Sequence, residues 1–318
     1  MTKGKKVNQN AGENTRTANR DNLSERRGNS VGVRAMLIML RILGVNRTCE
    51  YVWFVALFYA LFDKTARRQA SYYIRHRFPN DGPLRRFYHI WALFTSQGQA
   101  LVEAAAVSLG KVTIRETGRK EAEELLARPE GLIMLCSHFG QWQGMMRVIN
   151  LKGRPVHVLV RPDRNVNVDK FMAVKGIKDK INVISTESGM GGLLDVYDAL
   201  MKGDTVCMMG DRSRENESLA IDFLGEEAHF PVAAFMMSAR TGAPVIPVFS
   251  HREKRHKQMH VSFLEAIYAP QGAGRGRERL RGSLERYVRE LERMTSEHPF
   301  EYYLYENIWH KEQADGEE

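Results

Sequence analysis

A histidine held between a strand and a helix can accept a proton from a hydroxyl group, and His138 has that setting. The run Leu132 to Cys136 is apolar and bounded by Gly131 and Ser137, as expected of one buried strand. Beyond it Gly140 permits a turn, and Trp142, Met145, Met146 and Ile149 recur at helical spacing. Open α/β sheets gather reactive groups at such junctions, because loops at the carboxyl ends of strands converge on one crevice. The junction by itself fits a helix-capping or loop-filling histidine equally well. Other strand ends offer polar partners: Val160 is followed by Arg161, Asp163 and Arg164, and Met209 by Gly210, Asp211 and Arg212. Arg161 and Arg212 are planar, permanently charged donors suited to a phosphate or a developing oxyanion, and Asp211 could orient one of them.

The elements that must position these groups follow from the apolar pattern. Strand-length runs occur at Leu132 to Cys136, Val156 to Val160, Ile181 to Ile184, Thr205 to Met209, Pro244 to Phe249 and His260 to Leu264. Helical stretches are predicted at 85–109, 120–128, 144–151, 168–174, 193–202, 232–241 and 277–295, and the alternation means an α/β fold. Gly189 to Gly192 could present backbone N–H groups to a phosphate, or simply start a helix.

At 318 residues the chain suits one large α/β domain with an appendage, and its net charge of +9 attracts phosphate-bearing partners. Residues 1–30 read as a disordered basic tail holding +4 of that charge. Region 31–110 reads as helical and membrane-associating: its longest apolar run, Tyr51 to Phe62, falls short of the roughly 18 residues of a clean span. After it Lys64, Arg67, Arg68, Arg75, Arg77, Arg85 and Arg86 interleave with aromatics, a composition suited to an anionic membrane surface. The α/β domain is expected over 111–310, followed by an acidic tail at 311–318. Nucleic acid is not an expected partner, since no recognition helix, zinc finger or stacking sheet accompanies the charge. Cys49, Cys136 and Cys207 are scattered, arguing against a disulfide framework or zinc cluster. No metal or cofactor is expected: His256 and His260 have His-x3-His spacing but sit in a basic stretch that reads as a solvated hairpin.

The block HFGQWQ at 138–143 resembles the HFGNWE-type block of the bacterial lipid A late acyltransferases, within the wider lysophospholipid and glycerol-3-phosphate acyltransferase superfamily. VRPDRN at 160–165, GDRSRENESLAIDFLGEEAHFP from 210, TGAPVIPVF from 241 and EHPFEYYLYENIW from 297 resemble later blocks of that family, in order. The resemblance implies a mixed sheet flanked by helices. It implies transfer of a fatty acyl group from acyl carrier protein or coenzyme A to a hydroxyl of a membrane lipid or glycolipid precursor, at the cytoplasmic face of a bacterial inner membrane. His138 would be the general base and Arg161, Arg164 and Arg212 would bind substrate; Trp142 would border the acyl groove with the amino-terminal segment, although Trp142, Met145 and Met146 fit an ordinary core better. The family's acidic residue five positions after the histidine, which orients the imidazole, is Gln143 here. Its carbonyl could still accept from the ring, but it carries no charge to stabilise an imidazolium. Three readings stay open: an inactive form that binds lipid or acyl carrier protein, an enzyme whose carboxylate is Asp211, or an enzyme that works with an amide.

Overall fold

The computed structural model describes residues 30–127, 129–145, 154–160, 181–187, 189–212, 218–271 and 276–309. The basic and acidic tails, Arg161, Arg164 and the helix expected at 168–174 lie outside them.

Four helices come first: α1 (Ser30–Ile42), α2 (Gly44–Phe62), α3 (Lys64–Arg77) and α4 (Pro83–Ser108). Asp63 ends α2 and caps α3, its side chain accepting from the Ala66 N–H at 2.8 Å. Pro83 opens α4, where its missing N–H costs nothing. Among the described residues no helix is long and apolar enough to cross a membrane. α2 nonetheless turns Trp53, Phe54, Phe58 and Phe62 outward, a larger apolar face than isolated surface residues would make.

The basic run behind that face is partly consumed by the fold. Arg67 donates to the Ala60 and Leu61 carbonyls at the end of α2, Arg77 to Thr295 and Ser296, and Arg86 to Pro79. Lys64, Arg68, Arg75 and Arg85 remain exposed.

Seven strands form one mixed sheet in the order β1-β9-β8-β2-β5-β3-β4. They are β1 (Thr113–Thr117), β2 (Leu132–Cys136), β3 (Val156–Val160), β4 (Ile181–Ser185), β5 (Thr205–Met209), β8 (Val245–Glu253) and β9 (Gln258–Phe263). All neighbours run parallel except the β8–β9 hairpin. β6 (Ser218–Phe223) and β7 (Glu226–Pro231) form a separate antiparallel pair. The remaining helices are α5 (Arg119–Leu125), α6 (Trp142–Met145), α7 (Leu193–Met201), α8 (Ala233–Thr241) and α9 (Arg281–Glu297).

The sheet is covered on both faces, which is why β2 reads as an unbroken apolar run. Successive side chains alternate across a strand. Ile133 and Leu135 therefore pack with α7, α8 and α9 through Val196, Phe235 and Leu291, while Leu132, Met134 and Cys136 pack with Val102 and Ala106 of α4. The mixed sheet flanked by helices expected from the sequence is present, and the six strand-length runs are all strands.

Candidate active site

β2 ends at Cys136 and β5 at Met209, and the parallel register pairs these two residues directly. His138 and Asp211 each lie two positions further on, so the sheet carries both to the same place. His138 Nδ1 lies 3.0 Å from Asp211 Oδ1 and 3.1 Å from Oδ2, and the His138 backbone N–H donates to Oδ2 at 2.9 Å. Asp211 is fully buried. Burial by itself pushes its carboxyl up, but the charge and hydrogen bonds of His138, with Arg212 beside it, outweigh burial and hold it below the usual carboxylate range. A carboxylate on Nδ1 fixes the tautomer whose Nε2 is a free base. Nε2 makes no hydrogen bond to a described residue, and the side chain is 21% exposed. The ring stands edge-on to Trp142, with centroids 5.6 Å apart.

The loop under the ring is fixed from several sides. Cys136 O accepts from the Gly210 N–H at 2.8 Å and from Tyr287 Oη, on α9, at 3.0 Å. The carboxyl-terminal segment runs alongside: Tyr303 N–H donates to His138 O at 2.8 Å, Gly140 N–H donates to Glu301 O at 2.7 Å, and Phe139 bridges Tyr302. Gly140 is required here, because its φ is +58° and a Cβ would meet Ser250 O at 1.7 Å. Gln141, buried, donates to Glu103 of α4, which also takes hydrogen bonds from Arg252 and His256. Burial pushes Glu103 up, but these partners together hold it below its ordinary value.

The candidates from sequence fall into distinct places. His138, Asp211 and Trp142 come together. Gln143 does not hold the imidazole: its Oε1 is buried without a hydrogen-bond partner among the described residues, and Nδ1 faces Asp211. The physical reason is position, since Gln143 lies on α6 whereas Asp211 arrives from the neighbouring strand. Arg212 is partly engaged elsewhere, donating to Tyr303 O at 3.1 Å with Glu306 at 3.9 Å, which takes one guanidinium nitrogen from any headgroup. His256 and His260 do not face one another: His256 goes to Glu103, and His260 faces His251.

In the turn Gly189 to Gly192, packing requires a glycine at the last position. Gly192 has φ +78°, and a Cβ there would meet Ser185 O at 2.6 Å and Leu159 Cδ1 at 2.8 Å. Glu103, Gln141, Tyr287 and Glu301 were not picked out from sequence as site residues. For Gln141 and Glu301 the signal was their place inside the quoted HFGQWQ and EHPFEYY blocks.

A cavity of about 260 Å³ opens beside α2 and α4, with Trp53, Tyr88 and Trp91 at its apolar wall and Arg252 and Glu301 among its polar residues. His138 and Trp142 do not line it. The cysteines are not nucleophiles: burial pushes the Cys136 thiol up to about 12, with Asp211 adding to it, and burial and Glu103 do the same for Cys49. What the arrangement offers is a buried carboxylate, an imidazole and an outward Nε2, which can remove a proton from a hydroxyl.

Among solved structures, the chain is similar to the 1-acyl-sn-glycerophosphate (LPA) acyltransferase PlsC from Thermotoga maritima. That likeness has 15% identity over 82% of this chain and 96% of that one, with a TM-score of 0.36. No curated protein matches significantly. The model of the bacterial lipid A biosynthesis acyltransferase family matches residues 24–311, nearly the whole chain, and the protein belongs to that family.

Proposed function

We propose that this lipid acyltransferase moves a fatty acyl group from an acyl thioester, on acyl carrier protein or coenzyme A, to a hydroxyl of a membrane lipid or glycolipid precursor. The observation that carries the reading is the 3.0 Å contact between His138 Nδ1 and the buried Asp211 carboxylate. His138 Nε2 takes the acceptor's proton as its oxygen attacks the thioester carbonyl. The C–S bond then breaks, and the departing thiolate receives that proton. Positioned general bases contribute about 10²- to 10⁴-fold to such steps. Asp211 supplies the negative charge that Gln143 lacks, which favours catalysis over a protein that only binds lipid or acyl carrier protein. Arg161 and Arg164 are assigned to an acceptor phosphate or the oxyanion on their residue type and the family resemblance, and Arg212 to an adjoining headgroup through the nitrogens not spent on Tyr303.

The outward aromatics of α2 with Lys64, Arg68, Arg75 and Arg85 support a peripheral seat on an anionic cytoplasmic leaflet. Incubation of the protein with acyl-acyl carrier protein or acyl-coenzyme A and extracted lipids should release free thiol and yield a lipid heavier by one acyl group. His138→Ala should abolish both. Turnover at the wild-type rate in that variant, or no thiol release with either donor while lipid still binds, would overturn the reading.

A further inference from the structure

The β8–β9 hairpin carries a second group of reactive side chains, on a strand that runs beside Gly140. His251 and His260 are direct cross-strand partners with ring centroids 4.8 Å apart, and Glu253 stands two residues along β8 on the same face. One ring nitrogen of each histidine and one Glu253 oxygen all lie within 4.8 Å of one another. We propose that His251, Glu253 and His260 form a divalent transition-metal site, best suited to Zn²⁺, that staples the hairpin.

Three observations support the assignment. His251 Nδ1 and Glu253 Oε2 are both buried without a hydrogen-bond partner among the described residues, and buried polar atoms are nearly always paired. His260 Nε2 lies 3.1 Å from Thr117 Oγ1 on β1, an outer contact that orients the ring and leaves Nδ1 for a ligand. His260 Nδ1 is 3.8 Å from Glu253 Oε1, against roughly 3.3 Å between donors about 2.0 Å from a tetrahedral zinc. All three donors lie within 4.8 Å of one another, so closing the triad takes side-chain shifts of up to about 1.5 Å, with water as the fourth ligand. Two imidazoles and one carboxylate are a borderline donor set, which selects Zn²⁺ over Mg²⁺ or Ca²⁺.

Other described groups near the triad include His298, stacked on His251 at 4.2 Å, Glu297, whose charge bears on His251, and Arg115, whose Nη1 lies 3.6 Å from Glu253 Oε1. The Arg115 side chain is largely exposed and can swing into solvent when a cation enters. A metal here would tie β8 to β9 and, through Thr117, to β1. It would also hold His251 against the carboxyl-terminal end of α9.

The test uses the full chain without a polyhistidine tag, stripped with chelator and titrated with Zn²⁺ or Co²⁺. One equivalent of metal should bind, Co²⁺ should give the visible absorption of a four-coordinate site, and Zn²⁺ should raise Tm. His251→Gln and His260→Gln should each lose the signal, while His256→Gln, at Glu103, should keep it. If the variants fail to fold, diethyl pyrocarbonate mapping of the wild-type chain decides: Zn²⁺ should protect His251 and His260. No stoichiometric uptake, absorption unchanged in both variants, or protection confined to other histidines would overturn the site.

Discussion

Replacing Asp211 by asparagine tests the site most directly, because two N–H donors converge on that carboxylate. The His138 backbone N–H reaches Oδ2 at 2.9 Å and ring Nδ1 reaches Oδ1 at 3.0 Å. A carboxylate accepts both; an amide accepts one and presents its own N–H to the other. The backbone donor cannot change, whereas the ring can move its proton to Nε2. The imidazole therefore yields, and the nitrogen facing substrate becomes a donor instead of a base. The corresponding Asp-to-Asn change in a serine-protease triad lowers kcat about 10⁴-fold, or about 5 kcal/mol in the barrier. Asp211→Asn should show a loss of that order in thiol release, with KM little changed. The fold should survive, since the amide fits the same space and removes a buried charge.

Stability against pH provides a second readout. Asp211 is held below the usual carboxylate range, so its contribution is present above the unfolded-state value and is lost as pH falls through the folded one. The asparagine variant should lack that part of the acid transition. A variant with kcat within about tenfold of wild type and an unchanged Tm would refute the orienting role.

Gln143→Ala should lower kcat by less than about tenfold, since the Gln143 carbonyl makes no hydrogen bond to the ring; a loss matching that of Asp211→Asn would return the orienting role to the amide. Glu301 has its carboxyl pushed up to about 7, by burial first and Glu103 after it, against the pull of Arg252. A raised folded value means stability falls as pH rises from about 4.5 to about 7, by about 3 kcal/mol, so Glu301→Gln should flatten that limb in denaturant titrations; an equal slope in the variant would refute it. Phe54→Ser and Phe58→Ser on α2 should each weaken partitioning onto anionic vesicles by about tenfold or more, from about 1.5–3 kcal/mol per phenyl ring, as read by co-sedimentation. Unchanged sedimentation of the double variant would place the membrane contact elsewhere.

How far the sequence reveals this protein depends on whether each signal is local. β2, β3 and β5 are legible because central parallel strands are dominated by apolar residues, and their limits coincide with the apolar runs. β1 is hidden because TIRET lies at the sheet edge with alternating exposure, and β6–β7 because their outward positions hold Asp222, Glu226 and Glu227. The site divides in the same way. His138 can be located from one junction, but the residue holding its ring is 73 positions away, and a local motif points instead to Gln143. What joins the two is a register: Leu132 through Cys136 pair one for one with Thr205 through Met209, so equal steps past the paired ends bring residues 138 and 211 together. That pairing depends on which strands become neighbours, a property of the whole sheet. Given the adjacency of β2 and β5, counting from the strand ends locates Asp211; without it, every polar strand end is an equal candidate.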